Sequence, residues 1–146
     1  MSKTYETHSA EETRERGRAI ARELPSKAVV LLIGDLGAGK TTLTQGIIEG
    51  LGAASHEEVA SPTFTLIHEY SPPRVYHIDL YRLDTEQEVA TLGLDELFDR
   101  DAIVLIEWGE RFPRLMPHDR IEIRLEHVPG EDDARRIHVS HPHQSE

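Results

Sequence analysis

Two uninterrupted apolar segments dominate the pattern of hydrophobic and polar positions along the chain. The segments 28–33 and 102–106 are continuous and rich in β-branched side chains, which is typical of strands that are covered on both faces. After the segment 28–33, the residues 41–51 have the spacing of a helix, and Gly50 or Gly52 can end this helix. The pattern predicts an α/β protein with a mostly parallel central sheet.

The remaining segments predict further helices and strands around this centre. A helix begins at Ser9, which has capping-box spacing to Glu12, and stops before Pro25. Further elements follow in chain order: a hairpin of strands 63–70 and 75–80, short helices from Asp84 or Thr85 to about Thr91 and from Leu94 to Asp99, an alternating strand over 120–126, and a last strand near 136–139. Together they predict a three-layer α/β sandwich with flanking antiparallel hairpins. Residues 1–140 form one predicted domain, and residues 141–146 form a predicted flexible tail.

Length and composition fit one globular domain. The 146 residues are 38% hydrophobic and 29% charged, and a domain of about 150 residues buries about 70% of the surface of its unfolded chain. No apolar segment approaches the ~20 residues of a membrane span, and the N-terminus lacks the apolar part of a signal peptide. The sequence has no cysteine, which excludes disulfides, thiolate zinc sites and cysteine catalysis. We therefore expect a cytoplasmic protein without membrane contact.

The charge balance argues against direct binding of nucleic acid. The chain has 16 Lys and Arg residues against 27 Asp and Glu residues, for a formal net charge of −11 at pH 7. Proteins that hold RNA or DNA by themselves carry a basic face, and no basic run interrupts this sequence. The acidity favours solubility, or docking on a basic partner.

The turn after the first buried strand carries a phosphate-binding motif. Residues 34–41 read GDLGAGKT, which matches G-x-x-x-x-G-K-[ST] between a strand and a helix. Glycines allow backbone N–H groups to surround an anion, and the helix N-terminus adds partial positive charge. The motif predicts binding of ATP with Mg²⁺. The predicted nucleotide contacts in the motif are Gly37, Ala38, Gly39, Lys40, Thr41 and Thr42.

Hydrolysis requires carboxylates beside this motif. Lys40 is expected to reach the β- and γ-phosphates, and the Thr41 hydroxyl is expected to ligate Mg²⁺. Two strand ends supply carboxylates for the metal or the attacking water, Asp79 and Glu107. Which of the two activates the water stays open at this point. The segment 61–64, SPTF, is a candidate γ-phosphate sensor loop.

Four segments, taken together and in this order, resemble the TsaE (YjeE) family. They are GDLGAGKTTL at 34–43, SPTFTL at 61–66, YHIDLYRL at 76–83 and IEW at 106–108. Many families share the P-loop, but its combination with the last two segments is specific. Members of the family are small bacterial P-loop ATPases that are needed for the N6-threonylcarbamoyladenosine (t6A) modification of tRNA.

The resemblance implies a P-loop fold, binding of Mg·ATP, slow hydrolysis in isolation and action with a TsaB–TsaD pair. It implies catalytic roles for Lys40, Asp79 and Glu107, with Glu107 and Thr41 as metal ligands. Thr63 would belong to a switch-like loop near the nucleotide. The partner pair would hold the tRNA, in agreement with the acidic charge of this chain.

The resemblance also bears on residues outside the motifs. Members use the N-terminal region and the last strand near the nucleotide, where Ser9 and Arg136 are the candidates. No arginine finger stands beside the motifs, and such a group is worth about 10³–10⁵ in rate. Arg82 or Arg111 would supply it within the chain, or a partner would complete the site.

Two other functions stay open on the residues alone. A small-molecule kinase needs an acceptor pocket and an arginine-bearing lid, and no such lid segment lies between the two buried strands. A nucleotide-gated binding module would hydrolyse ATP only incidentally. Phosphate release with and without candidate acceptors distinguishes these functions from an ATPase.

Overall fold

The computed structural model describes residues 2–35, 37–59 and 66–141, which share one seven-stranded sheet. The strands are β1 (Ser2–Thr7), β2 (Ala28–Ile33), β3 (Ile67–Tyr70), β4 (Val75–Asp79), β5 (Ile103–Glu107), β6 (Ile121–Val128) and β7 (Glu131–Ser140). The helices are α1 (Ala10–Glu23), α2 (Lys40–Leu51), α3 (Glu86–Ala90) and α4 (Leu94–Asp99). Short 3₁₀ turns occur at His56–Glu58, Gly109–Arg111 and Pro113–Leu115.

The four middle strands of the sheet are parallel. The strand order is β1-β7-β6-β2-β5-β4-β3, in which β6, β2, β5 and β4 run in the same direction. Antiparallel pairing of β7 with β6 and β1, and of β3 with β4, extends the two edges. The two continuous apolar segments form β2 and β5, which lie side by side at the centre and are buried almost throughout. The predicted sheet with flanking antiparallel hairpins is confirmed.

Two apolar layers separate the sheet from its helices. Alternate residues of a strand point to opposite faces, so Val30 of β2 joins a buried cluster with Ile20 of α1 and Leu43 of α2. Its neighbour Leu31 joins a second cluster with Leu94 of α4. The predicted three-layer sandwich is therefore confirmed. In the ranges that the structure describes, no helix combines the length and the apolar character needed to cross a bilayer.

Helices α1 and α2 pack closely where they cross, because each has a glycine at the crossing. A Cβ atom on Gly17 would lie 2.5 Å from the carbonyl oxygen of Leu43, and a Cβ atom on Gly46 would overlap the carbonyl oxygen of Arg14. A larger side chain at either position would force the helices apart. The contact holds α2, and therefore the glycine-rich turn at its N-terminus, against α1.

Both ends of the chain contribute more strand than the pattern predicted. β1 was not predicted, because it is an edge strand with exposed polar residues, which leaves little apolar alternation. It is held by Tyr5, which packs on the α1–α2 cluster, and by Thr7, whose hydroxyl lies 2.8 Å from that of Thr13. β7 begins at Glu131, five residues before the predicted start near Arg136.

Ser9 caps α1 as predicted, but the capping box is incomplete. The Ser9 hydroxyl accepts the N–H of Glu12 at 3.1 Å, whereas the Glu12 carboxylate accepts the N–H of His8 rather than that of Ser9. The other predicted elements are present with ends shifted by a few residues. The predicted strand residues 63–65 and the predicted tail, apart from His141, lie outside the described residues, so the domain limits stay a prediction.

Glu49 of α2 connects α1 to the 3₁₀ turn that follows α2. Its Oε1 accepts a hydrogen bond from Arg18 Nη1 at 2.7 Å. Its Oε2 accepts the backbone N–H of His56 at 2.9 Å and lies 2.9 Å from His56 Nδ1. The hydrogen bonds from His56, with that from Arg18, lower the pKa of the Glu49 carboxyl to about 2.

We predict that Glu49→Gln removes an acid-sensitive part of the stability. The folded pKa lies below the unfolded value of about 4.3, so the stabilisation is complete above the unfolded pKa and is lost as the pH falls towards about 2. At pH 7 the variant should lose about 1 kcal/mol, and this difference should shrink below about pH 4.3. Urea unfolding across this range measures it. Glu15→Gln, on the exposed side of α1, is the control, and a pH-independent difference for Glu49→Gln contradicts the assignment.

Candidate functional site

Three polar side chains share one face at the carboxyl ends of β4 and β5. Asp79 lies opposite Glu107 in the parallel register, two residues beyond the pair His77 and Leu105. Residues in register point to the same face, and alternate residues share it. Leu105 belongs to the cluster beneath α1 and α2. His77, Asp79 and Glu107 therefore face the side of the sheet on which α2 begins.

The glycine-rich turn joins β2 to α2 at the same edge of the sheet. Gly37 and Gly39 have φ values of +81° and +101°, in the region that favours glycine. The N–H of Ala38 donates to the carbonyl oxygen of Asp35 at 3.0 Å, and the helical ladder starts with the N–H of Leu43 donating to Gly39 at 2.9 Å. The N–H groups of residues 40–42 precede this first helical bond, so they are available to an anion at the helix N-terminus.

Lys40 lies inside the site and is only 5% exposed. Its Nζ donates to the carbonyl oxygen of Gly34 at 2.7 Å and lies 3.5 Å from the centroid of the Trp108 ring. Burial lowers the pKa of Lys40. The carboxylates that oppose this shift are, in decreasing order, those of Glu107, Glu110, Asp79 and Asp35. Lys40 is thus a buried cation among acidic groups.

Trp108 reaches Lys40 from an unusual backbone conformation. Its φ of 68° is the only positive value at a non-glycine residue in the part of the chain that the structure describes. Such a conformation is unfavourable for a bulky residue and persists where the surroundings require it. The Trp108 ring contacts both Lys40 and the ring of Tyr81, whose centroid is 5.3 Å away. Trp108 therefore lines the site and also packs against the second apolar cluster.

Glu107 is buried and paired with His77. Glu107 is 4% exposed and His77 is inaccessible, and His77 Nε2 lies 2.6 Å from Glu107 Oε2. Within the described ranges, His77 Nδ1 has no hydrogen-bond partner. The imidazole therefore holds the Glu107 carboxylate in one orientation at the end of β5.

Asp79 and Glu110 are half-buried carboxylates with raised pKa values. Burial raises the pKa of Asp79, although its Oδ1 accepts the N–H of Tyr81 at 2.9 Å, which acts in the opposite direction. Burial also raises the pKa of Glu110, whose Oε1 has no hydrogen-bond partner among the described residues. A carboxylate with a raised pKa beside a phosphate-binding turn is suited to accept a proton from water.

The donor set at this edge fits a magnesium ion shared with phosphate. Thr41, half-buried in the first turn of α2, Asp79 and Glu107 carry oxygen donors, which Mg²⁺ prefers. Mg²⁺ commonly takes one or two carboxylates and completes its shell with water and phosphate oxygens. No group of three or more His, Asp or Glu residues in the described ranges is arranged to hold a metal ion by itself. The predicted contact Thr63 lies outside those ranges.

Sequence reasoning assigned no role to His77, Glu110 or Arg135. The strand period of two offers a signal for His77, which precedes Asp79 by two residues on the same face. Glu110 lies in a 3₁₀ turn after β5, for which the local sequence has no comparable signal. Arg135 contacts the glycine-rich turn from β7, a contact between residues far apart in the sequence.

Two of the other candidates, Ser9 and Arg111, make structural contacts. Ser9 is the N-cap of α1. Arg111 donates from Nη1 to the carbonyl oxygen of Tyr81 at 2.9 Å and from Nη2 to that of Leu83 at 2.8 Å. It therefore holds the segment after β4 in place. Arg136 makes no side-chain hydrogen bond or ion pair within the part of the chain that is described.

A glycine-rich turn between a buried strand and a helix, with carboxylates at the end of the neighbouring strands, defines a P-loop nucleotide-binding protein of the α/β class. The chain matches the family model described as "Threonylcarbamoyl adenosine biosynthesis protein TsaE" over residues 7–137. The chain belongs to the TsaE family.

Individual relatives and a solved structure agree with this membership. The chain is 42% identical over 113 residues to the tRNA threonylcarbamoyladenosine biosynthesis protein TsaE of Haemophilus influenzae, covering 76% of this chain and 68% of that protein. It is 40% identical over 135 residues to the protein of the same name from Bacillus subtilis, covering 91% and 82%. The crystal structure of Bacillus subtilis YdiB superposes with a TM-score of 0.78 at 33% identity, covering 97% of this chain and 86% of that one.

Proposed function

We propose that this chain is a Mg²⁺-dependent ATPase that supports t6A modification of tRNA together with a TsaB–TsaD pair. Membership of the TsaE family supports the pathway. The observation that carries the ATPase assignment is the convergence of Lys40, Asp79 and Glu107 on the N-terminus of α2. A cation for phosphate and carboxylates for metal and water are the parts that phosphoryl transfer to water requires.

Binding starts from the P-loop. The N–H groups of residues 40–42 and the positive end of α2 receive the phosphate oxygens. Lys40 exchanges its contact with the Gly34 carbonyl oxygen for a charge-assisted bond to a terminal phosphate. Before the nucleotide binds, Trp108 and the surrounding carboxylates hold the Lys40 ammonium group beside the glycine-rich turn.

The carboxylates divide the remaining work. Glu107, oriented by His77, and Thr41 would hold Mg²⁺, which supplies neutralisation of charge on the phosphate oxygens. Asp79, with its raised pKa, orients the attacking water and accepts its proton. The water oxygen bonds to the γ-phosphorus, and the bond from that phosphorus to the β–γ bridging oxygen breaks, which releases ADP and phosphate.

Lys40→Ala tests nucleotide binding. Hydrogen bonds to charged groups contribute about 1.5–3 kcal/mol, so we expect ADP and ATP affinity to fall about tenfold to hundredfold. Calorimetric titration measures the affinity, and thermal unfolding confirms that the variant is folded. Lys27→Ala, which removes the same charge from an exposed position, is the matched control. Undiminished affinity in Lys40→Ala would place the nucleotide elsewhere.

Asp79→Asn and Glu107→Gln separate hydrolysis from binding. Each amide keeps the shape of the side chain but removes its charge, so we expect phosphate release to fall about 10²-fold, with a smaller change in ATP affinity. Asp84→Asn, at a carboxylate that is 87% exposed, is the control. Normal hydrolysis by both site variants contradicts the assignment. ATP consumption only in the presence of a phosphate acceptor would instead indicate a kinase.

The partner assignment predicts a specific pattern of stimulation. Because Arg111 is held by backbone carbonyls and no arginine finger is predicted beside the motifs, we expect the TsaB–TsaD pair to raise the ATPase rate and tRNA alone to leave it unchanged. The net charge of −11 should make association with the pair slow as salt is raised. Phosphate release with each component measured separately tests this. Stimulation by tRNA without the pair overturns the division of labour.

A further inference from the structure

Arg135 of β7 contacts the glycine-rich turn from the side of the C-terminal hairpin. Its Nε donates to the carbonyl oxygen of Ala38 at 3.1 Å, and its Nη2 donates to that of Gly37 at 3.4 Å. Both acceptors belong to the P-loop, and the donor lies more than 90 residues later in the chain. The contact therefore joins the nucleotide-binding edge to an antiparallel strand that carries neither the glycine-rich motif nor the predicted carboxylates.

The opposite side of the same guanidinium holds an irregular part of β7. Its Nη1 donates to the carbonyl oxygens of Asp132 and Ala134 at 2.7 and 2.8 Å. The register between β6 and β7 shifts here, because His127 pairs with Arg135 whereas the next residue of β6 pairs with Glu131. Bulges of this kind redirect side chains. The Arg135 guanidinium, which has a planar, fixed set of donors, thus contacts both the irregular part of β7 and the P-loop.

The bond to Ala38 determines the direction of a P-loop donor. The carbonyl oxygen of one residue and the N–H of the next belong to one planar trans peptide and point in opposite directions. Holding the Ala38 carbonyl oxygen therefore turns the Gly39 N–H away from Arg135. Gly39, at φ +101°, would otherwise have the freedom of glycine to rotate this peptide.

The charge of Arg135 is not cancelled by a nearby carboxylate. No Asp or Glu oxygen in the described ranges lies within ion-pair distance of its guanidinium, which is surrounded by backbone carbonyl oxygens. A positive charge behind the turn raises the potential at its opposite side, where a phosphate would lie. Lys40 and Arg135 thus both bring positive charge to the turn, through contacts with the Gly34 and Ala38 carbonyl oxygens.

We propose that Arg135 is a positioning residue that pre-organises the P-loop for the nucleotide phosphates, in a way that requires its forked geometry as well as its charge. The proposal rests on the proposed nucleotide binding. Arg135 makes no contact with the reacting atoms; it acts through the Gly37 and Ala38 carbonyl groups.

Three variants, together with the wild type, test the role by titration with Mg·ADP. Arg135→Met removes the donors and the charge, Arg135→Lys keeps the charge but loses the fork, and Arg22→Met removes the same charge from an exposed position in the last turn of α1. We expect the Kd for Mg·ADP to rise about tenfold in Arg135→Met, to rise less in Arg135→Lys, and to stay within about twofold in Arg22→Met. All titrations are made at a temperature at which circular dichroism shows each variant to be folded.

The amide resonance of Gly39 supplies a readout that a general loss of stability would not move. In ¹⁵N–¹H spectra without nucleotide, the Gly39 amide resonance should shift in both Arg135 variants and stay in place in Arg22→Met. If Arg135→Met is unfolded at every usable temperature, Arg135→Lys and this resonance decide the question. Unchanged affinity together with an unmoved Gly39 resonance overturns the proposal. Full restoration of affinity by Lys overturns the requirement for the fork.

The wild type separates this inference from the proposed function. If the wild type binds Mg·ADP and the Arg135 variants bind it equally well, the inference fails and the proposed function stands. If the wild type binds no Mg·ADP, the proposed function fails, and the Gly39 resonance alone then decides whether Arg135 orients the turn.

Discussion

The site depends on one partly desolvated cation. Transfer of an ammonium group from water into a protein is unfavourable unless partners surround it. Lys40 finds them in the Gly34 carbonyl oxygen, the Trp108 ring and the carboxylates at the ends of β4 and β5. These partners come from three separate segments, at the ends of β2, β4 and β5, so the position of Lys40 depends on the β2–β5–β4 register and on the start of α2. A bound nucleotide phosphate would replace these groups in compensating the positive charge of Lys40.

The parallel register of β4 and β5 and the crossing of α1 and α2 together fix the geometry of the site. The pairing of Asp79 with Glu107 brings the two carboxylates to the same level along their strands. The contact with His77 restricts the rotation of the Glu107 side chain. On the helical side, Gly17 and Gly46 allow α1 and α2 to approach so closely that a Cβ atom at either position would clash with the other helix. Arg135, from the antiparallel strand β7, orients the glycine-rich turn through the Gly37 and Ala38 carbonyl groups.

The features that could be predicted from the sequence are those with a local signal. The apolar segments predicted β2 and β5, and the GDLGAGKT motif predicted the phosphate-binding turn, because strand burial and turn geometry depend on adjacent residues. β1 escaped prediction because an exposed edge strand has weak alternation. Glu110 and Arg135 escaped because their place at the site follows from contacts between distant segments. The roles of Asp79 and Glu107 stay predictions, although the register brings both to the face that Lys40 occupies.

The most direct test of the account is a heteronuclear NMR titration of the ¹⁵N-labelled wild-type protein with Mg·ADP. The account predicts that the largest shifts occur in the amides of residues 37–42, with the indole N–H of Trp108 also shifting as Lys40 leaves the ring. This protein has a single tryptophan, so that indole resonance is unambiguous. Saturable shifts confined to another part of the molecule, with the amides of residues 37–42 unmoved, would contradict the account.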